Sequence, residues 1–544
     1  MLLIGPFMLA SALGPKAVLG VEVSDRPGFF CDAAKTLRPF AGDDEKPVPT
    51  DSNGWPKGDG LTVIFDDRPA LAWAPPEDDP AHLQPQEAGV YAIKFKGRAQ
   101  VSAAGGSPIQ LGPVIYDAAT NTSSGSFVLP KTAANLVVLK FSETRRSPQS
   151  TAPDGITDLR VYRPGTGSPG QIFTNDLIKA LAPFSYLRCM GWLGTNFQPG
   201  FYGDTGHHLI GWNDRTLPTD ATQGMEGLRP GTIGVAWEYP LLLANQTHKD
   251  LWINIPVSAT GTSPDDKGSY IYKLAELIKN GDAFTGGKGL ASGLHLYIEH
   301  SNEVWNFGFP QYIWNKLAAI DEVKQGGSTL NNDGATDQEA WAHRRHAKRL
   351  YEIAKIFERV FGPGSLGTVV RPVYASWTIF PDAYYGEVLA WMKKTYGDPK
   401  GYFYAMAGTG YFNAEKASKT ASPSEIVGAM RADGDSGVAT TVQLKKIAEQ
   451  YGLKLACYEA GPDNGGGDPT NVGNRILANR LPEMGDLVTH EFRDNLFGAG
   501  VDLASYFSLA SAGSRYGCWG ALEDLSKLDT AKYKAILGLT GTGN

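Results

Sequence analysis

The chain is 544 residues long, too long for one small hydrophobic core, so a large domain with a smaller companion, or one elaborated domain, is the starting expectation. Lys and Arg number 50 against 57 Asp and Glu, a net charge of −7, and no basic run is longer than Arg344-Arg345, which argues against a nucleic-acid partner. No stretch reaches the roughly 18 consecutive apolar residues that cross a bilayer, so no membrane span is expected.

Residues 1–12 are apolar and end in Ala-Ser-Ala without a basic start. They read either as an export signal, which would make the protein extracellular or periplasmic, or as a packed N-terminal segment. Residues 17–24 read as a strand and 27–40 as a loop then a helix, so 1–60 is expected to hold the N-terminal segment and a first βα unit. From 61 to 165 the pattern changes to short alternating strands at 61–65, 90–95, 126–129, 136–141 and 159–162, separated by turn-rich sequence. That is the pattern of an antiparallel β-sandwich inserted after the first βα unit.

From 166 to 544 helix and strand alternate. Strands are expected at 184–190, 251–256, 294–303, 368–375, 402–407, 453–459 and 504–509, with helices at 174–182, 235–246, 269–279, 337–361, 382–394, 441–450 and 491–498. The helix over 337–361 is expected to carry strong positive charge on its outer face. With the opening strand this makes eight strands in βα alternation, and the predicted fold is an α/β (β/α)8 TIM barrel with an inserted antiparallel β-sandwich. Four cysteines, Cys31, Cys189, Cys457 and Cys518, lie far apart, and three fall in or beside apolar strand sequence. Buried free thiols are the expectation rather than disulfides or metal ligands.

Two strand ends carry the chemistry. The run at 294–303 ends in Ser301-Asn302-Glu303 and continues Val304-Trp305-Asn306-Phe307, and the run at 453–459 ends in Tyr458-Glu459 before a glycine-rich loop. By the strand count these are the fourth and seventh strands, which face each other across the mouth of a barrel. A single strand-end glutamate is ordinarily a surface or ion-paired residue. Two that converge on a shared cleft can serve as the acid and the nucleophile of glycoside hydrolysis. Asn302, beside the first, can hold a substrate hydroxyl. Glu299 is expected to be buried and paired rather than catalytic. Aromatics make up 11% of the chain, which suits platforms that stack on sugar rings as well as a large core.

On these residues the sequence resembles the retaining (β/α)8 glycoside hydrolases often called clan A, over roughly residues 17–509. That clan carries an Asn-Glu acid/base at the end of strand four and a nucleophilic Glu at the end of strand seven, which Asn302-Glu303 and Glu459 match. The chain is also similar to bacterial glycosidase-like or cellulose-binding proteins with a Tyr-Ser-Asn-Glu-Val-Trp-Asn motif, here with His300 in place of Tyr. The resemblance implies that Arg188 and Tyr411 hydrogen-bond the nucleophile and that Trp377 and Trp519 contact the sugar. Asn254 at strand three departs from the usual His-Asn pair but is still expected, with Asn302, Arg188, Trp377, Tyr411 and Trp519, among the substrate-binding residues. His207 and His208 read as polar loop residues, and neither a metal nor a cofactor is expected. The implied function is a retaining hydrolase of a polysaccharide or oligosaccharide, working through two glutamates about 5–5.5 Å apart. The alternatives are a transglycosylase with the same residues, and a non-catalytic carbohydrate-binding surface or virion protein on the same barrel.

Overall fold

The computed structural model describes residues 17–24, 28–66, 78, 87–131, 136–166, 170–197, 209–225 and 233–542. The apolar segment at 1–12 and the pair His207 and His208 lie outside the described residues.

Eight strands close into one all-parallel barrel: β1 (Val18–Glu22), β2 (Tyr186–Arg188), β3 (Asp250–Ile255), β4 (Leu296–His300), β5 (Val370–Ala375), β6 (Ala405–Phe412), β7 (Lys454–Pro462) and β8 (Leu503–Tyr506). Each pairs with its successor, and β8 pairs back on β1 from Val18↔Leu503 to Val21↔Tyr506. Parallel neighbours require crossovers, and helices such as Tyr270–Asn280 and Gln338–Phe361 supply them. Side chains alternate along each strand. In β4, Leu296 and Ile298 join the core between strands and helices, while Tyr297 joins the core inside the barrel.

The barrel interior is filled unevenly. Tyr186, Trp252 and Tyr297 stack in series on β2, β3 and β4, with centroids 5.8 and 5.5 Å apart. Small residues face them from β5, β6 and β7: Ala375, Ala405, Ala407 and Ala456. Large rings against small side chains fill the interior without a pore.

Between β1 and β2 the chain forms two antiparallel sheets. One has three strands, Gly60–Asp66, Leu136–Arg145 and Arg98–Ala103; the other has five, including Gly89–Lys96, Thr122–Leu129 and Thr157–Tyr162. Tyr91, Ile93 and Phe95 of Gly89–Lys96 point into one apolar core with Phe65, Leu139 and Phe141 of the other sheet, and the residues between them are exposed. Period-two alternation therefore marks the five strands that bury a face. Arg98–Ala103, Gln110–Leu111 and Ile115–Asp117 are largely exposed, so their sequences carry no such signal.

Three expectations need correction. The segment at 27–40 forms only a short 3-10 turn, Ala33–Thr36, capped by Asp32; Leu37 and Phe40 leave it to enter the core of the antiparallel sheets. The helix expected at 441–450 is the end of a far longer one, Pro423–Gln450. Gly428, Gly434 and Gly437 break its apolar pattern, and Gly434 is required by packing, since a Cβ there would meet Glu491 Oε2 at 2.1 Å. The helix Gln338–Phe361 does not keep its cations outside: Arg345 and Arg349 are buried and donate to Asn315 Oδ1 at 2.8 Å and the Gly261 carbonyl at 2.9 Å. All four cysteines are free and buried, as expected. Among the described residues no helix is long and apolar enough to cross a membrane.

Gly20 of β1 lies against the aromatic row: a Cβ would sit 2.2 Å from Tyr186 Cε2. Gly20→Ala should therefore destabilise the protein by about 1–3 kcal/mol through overpacking. A urea unfolding midpoint equal to that of the parent would show that the ring is not held against β1.

Candidate active site

The site is built on one buried cation. Arg188 ends β2 with no exposed surface. Its Nη1 donates to Glu22 Oε2 at 3.1 Å and Glu459 Oε1 at 2.7 Å, its Nη2 to Asn302 Oδ1 at 2.8 Å and Glu299 Oε2 at 3.1 Å, and its Nε to Glu299 Oε2 at 3.2 Å. The ends of β1, β2, β4 and β7 thus meet on one guanidinium. Burial opposes the charge of Arg188, but Glu299, Glu459 and Glu22 outweigh it and hold the side chain protonated. Glu299 also accepts from Trp252 Nε1 at 3.0 Å, which makes it a buried, paired residue as the sequence suggests. Glu22 accepts from Arg188 and from the Gly191 N–H, the latter at 2.7 Å, and burial pushes it up to about 8.

Glu459 reaches Arg188 through a distortion of β7. Strict alternation would send Cys457 outward, Tyr458 inward and Glu459 outward. The pairing of β7 slips against both neighbours here: Gly408↔Cys457 is followed by Thr409↔Glu459, and the register with β8 shifts between Cys457 and Ala460. Such a bulge adds one unpaired residue and re-aims the side chains beyond it. Tyr458 lies in the barrel interior, its ring 5.3 Å from the Arg188 guanidinium carbon, and Glu459 points to the same guanidinium. Tyr411 at the end of β6 donates its hydroxyl to Glu459 Oε2 at 2.8 Å. Burial, then Glu459 and Glu303, push the Tyr411 hydroxyl far above its usual range, so it remains a donor.

Glu303 lies in the turn that ends β4. Ser301 and Glu303 both hold positive φ, 57° and 43°, an uncommon conformation for residues with a Cβ. The Asn254 side chain, fully buried on β3, donates to the Ser301 carbonyl at 2.7 Å and fixes this turn from below. Gln311 donates to the Asn302 carbonyl and to Asn196 Oδ1, both at 2.7 Å, and Asn302 Nδ2 donates to Asn196 Oδ1 at 3.0 Å. Glu303 itself accepts from Asn306 Nδ2 at 2.9 Å and from the Tyr458 hydroxyl at 3.3 Å. Burial first, and the charge of Glu459 second, push it up to about 7.

Trp377, after β5, stacks on Trp305 with centroids 5.2 Å apart and planes 8° from parallel, and Trp305 Nε1 donates to the Tyr458 hydroxyl at 3.2 Å. Trp519, after β8, donates to Asp463 Oδ1 at 3.1 Å and meets Phe507 edge-on, as Phe507 meets Tyr411. His300 turns away from Glu303 into the helix layer. Its Nδ1 lies 2.9 Å from His346 Nδ1, and His346 Nε2 lies 2.9 Å from the Ala375 carbonyl.

Arg188, Asn302, Glu303, Tyr411 and Glu459 are therefore joined in one network, with Asn254 beneath it and Trp377 and Trp519 at its two flanks. Sequence reading misses Glu22, Asn196, Gln311, Tyr458 and Asp463. Of these, only Tyr458, beside Glu459 in sequence, carried a local signal. Among the described residues no cluster of His, Cys, Asp or Glu could hold a metal ion.

No family model matches the chain, and no curated protein is similar to it by sequence. Solved structures are similar to it in part. The GH51 arabinofuranosidase of Xanthomonas axonopodis pv. citri is 12% identical with a TM-score of 0.42, the match covering 69% of this chain and 66% of that one. A family 51 α-L-arabinofuranosidase of Bifidobacterium longum gives 10%, 0.38, 65% and 63%. The native xylanase 10C of Cellvibrio japonicus gives 11%, 0.31, 94% and 98%. The chain thus spans less than two thirds of the length of the two arabinofuranosidases. At these scores the likenesses carry neither activity nor substrate over to it.

An ordinary glutamate loses its proton near 4.5, whereas folded Glu22 keeps its proton to about 8. The folded state binds more protons across that window, so this group makes stability fall as pH rises from about 4.5 to about 8 and level off above. Glu22→Gln, neutral throughout, should shrink the fall in melting temperature between about pH 5 and about pH 8. Equal falls in parent and variant would place the proton elsewhere.

Proposed function

We propose that the chain is a retaining glycoside hydrolase acting on a polysaccharide or oligosaccharide, with Glu459 as nucleophile and Glu303 as acid/base. The observation that carries this reading is the contrast between two carboxyls in one mouth: Glu459 is held by the Arg188 cation and the Tyr411 hydroxyl, while Glu303 is pushed up to about 7. A raised carboxyl beside one held by a cation and a hydroxyl can divide the labour of acid and nucleophile.

In the first step Glu303 gives its proton to the glycosidic oxygen as a carboxylate oxygen of Glu459 forms a bond to the anomeric carbon. The bond to the leaving group breaks, and a glycosyl ester remains on Glu459. In the second step Glu303, now a carboxylate, takes a proton from water, the oxygen of that water bonds the same carbon, and Glu459 leaves as a carboxylate. Arg188 and Tyr411 disperse the negative charge that returns to Glu459. Asn302, its Oδ1 fixed by Arg188 and one Nδ2 hydrogen by Asn196, leaves its other Nδ2 hydrogen for a sugar hydroxyl. Trp519 and Phe507, beside Tyr411, suit the sugar held over Glu459. A polymeric substrate fits an extracellular or periplasmic location.

Release of reducing sugar from a panel of polysaccharides, with the first product's anomer read by NMR, tests the reaction; first formation of the inverted anomer would end the retaining mechanism. Glu459→Ala should abolish turnover, and azide should restore it with a glycosyl azide of inverted configuration. Glu303→Ala should lower kcat/KM on unactivated glycosides by about 10²–10⁴-fold and spare the first step on activated aryl glycosides. An inverted azide product from Glu303→Ala instead would exchange the two roles.

Because Glu303 must be protonated to act, kcat/KM should fall as pH rises through about 7, the value at which the buried acid ionises. Glu459 repels that ionisation, so the limb belongs to the pair. Glu459→Gln should lower the pH at which Glu303 titrates, measured by carbon NMR of labelled glutamate. An unmoved titration would show that the two carboxyls do not sense each other.

A further inference from the structure

Three apolar side chains in the loops after β4 and β5 stand in water: Phe307 is 70% exposed, Ile379 63% and Phe380 50%. They are not scattered. Phe307 and Phe380 both meet Trp377 edge-on, at 6.4 and 5.0 Å, Trp377 stacks on Trp305, and Tyr384 closes the far side of Trp377 at 5.5 Å. Single exposed apolar residues are ordinary, whereas a contiguous aromatic patch beside a cleft is a mark of binding.

The position of the patch relative to the two glutamates decides what it meets. Trp305 donates through Nε1 to the Tyr458 hydroxyl, which in turn donates to Glu303. The patch therefore begins at the acid and runs outward from it. The side chains around Glu459, namely Tyr411, Phe507 and Trp519, lie on other strand ends, after β6 and β8. An acid that protonates the departing oxygen stands beside the leaving group, and a nucleophile stands beneath the sugar that stays. Residues 304–309 and 376–381 contain no charged side chain, so a neutral ligand suits the patch better than an anionic polymer. Aromatic faces offer such a ligand a broad apolar contact, matching the C–H face of a pyranose ring.

We propose that Trp305, Trp377, Phe307 and Phe380 form a stacking platform for neutral sugar residues on the leaving-group side of the scissile bond, so that the substrate is a saccharide chain continuing past that bond. The inference rests on the hydrolase reading above and adds a substrate class to it: a neutral oligosaccharide or polysaccharide cut within the chain, rather than a glycoside of a small aglycone.

The test separates binding from turnover. Binding is read on the full-length Glu303→Gln protein, alone and combined with Phe380→Ala or Trp377→Ala. Each is run by affinity electrophoresis through gels containing soluble arabinoxylan, arabinan, galactan, glucomannan or mixed-linkage β-glucan. At least one of these neutral polymers should retard Glu303→Gln, and each added substitution should weaken that retardation tenfold or more. Phe380 is half exposed, so its truncation leaves no cavity, and a native melting profile accompanies each variant. Turnover is read on wild type and Phe380→Ala with oligosaccharides of increasing length. Wild-type kcat/KM should rise as residues are added at the leaving end, and the variant should lose at least fivefold of that gain. Retardation equal in all three proteins, or by none of the polymers, would overturn the platform. So would a wild-type dimer, seen by light scattering, that Phe380→Ala dissociates with polymer binding unchanged, because the patch would then be a subunit contact. Binding without any turnover by wild type would overturn the hydrolase reading instead, so each can fail without the other.

Discussion

A guanidinium with no access to water and three carboxylates around it is the constraint on which the site depends. Removing a charge from water costs several kcal/mol even after relaxation, and attraction offsets that cost only when the geometry is good and the remaining donors are used. Arg188 meets both conditions, with short contacts to Glu22, Glu299 and Glu459 and a further bond to Asn302. One positive charge cannot balance three negative ones in a dry space. The surplus shows at the two most deeply buried carboxyls: burial pushes Glu22 up to about 8 and raises Glu299 as well, against the pull of Arg188.

The scaffold delivers these side chains by departing from regularity at two places. A perfect β7 would turn either Tyr458 or Glu459 away from the mouth, and the bulge keeps both inside. A perfect exit from β4 would carry Asn302 and Glu303 to opposite faces. The left-handed conformations of Ser301 and Glu303 fold the chain back so that Asn302 bonds Arg188 while Glu303 bonds Tyr458. Strain of this kind persists where surrounding contacts over-determine it, and here Asn254, Asn196 and Gln311 supply them.

These departures also mark where sequence reading stops. The eight barrel strands are legible because each is an apolar run bounded by turns, and strand order then places Glu303 and Glu459 opposite one another. Arg188 and Tyr411 are reachable through the family resemblance, and both bond Glu459. Glu22 is not legible, because a lone Glu in an apolar strand has no partner in sequence; its partner is 166 residues away. Asn196 and Gln311 are hidden for the same reason, lying in a short turn and at the start of a helix. The helix Pro423–Gln450 escapes because three glycines interrupt its pattern, and one of them, Gly434, serves packing against Glu491, a tertiary demand that overrides local propensity.

The histidine pair behind the site has a direction. The Ala375 carbonyl can only accept, so His346 carries its proton on Nε2, and its Nδ1 must accept from His300 Nδ1. Burial lowers the proton affinity of both rings, His346 to about 4, so both are neutral under ordinary conditions. The pair is a polarised spacer that joins the end of β4, which leads to Glu303, with the end of β5, which leads to Trp377 and its neighbours. It can make that join only while uncharged, since a second proton would leave two donors facing each other. A pH low enough to protonate His346, about 4, would therefore part this seam between two loops.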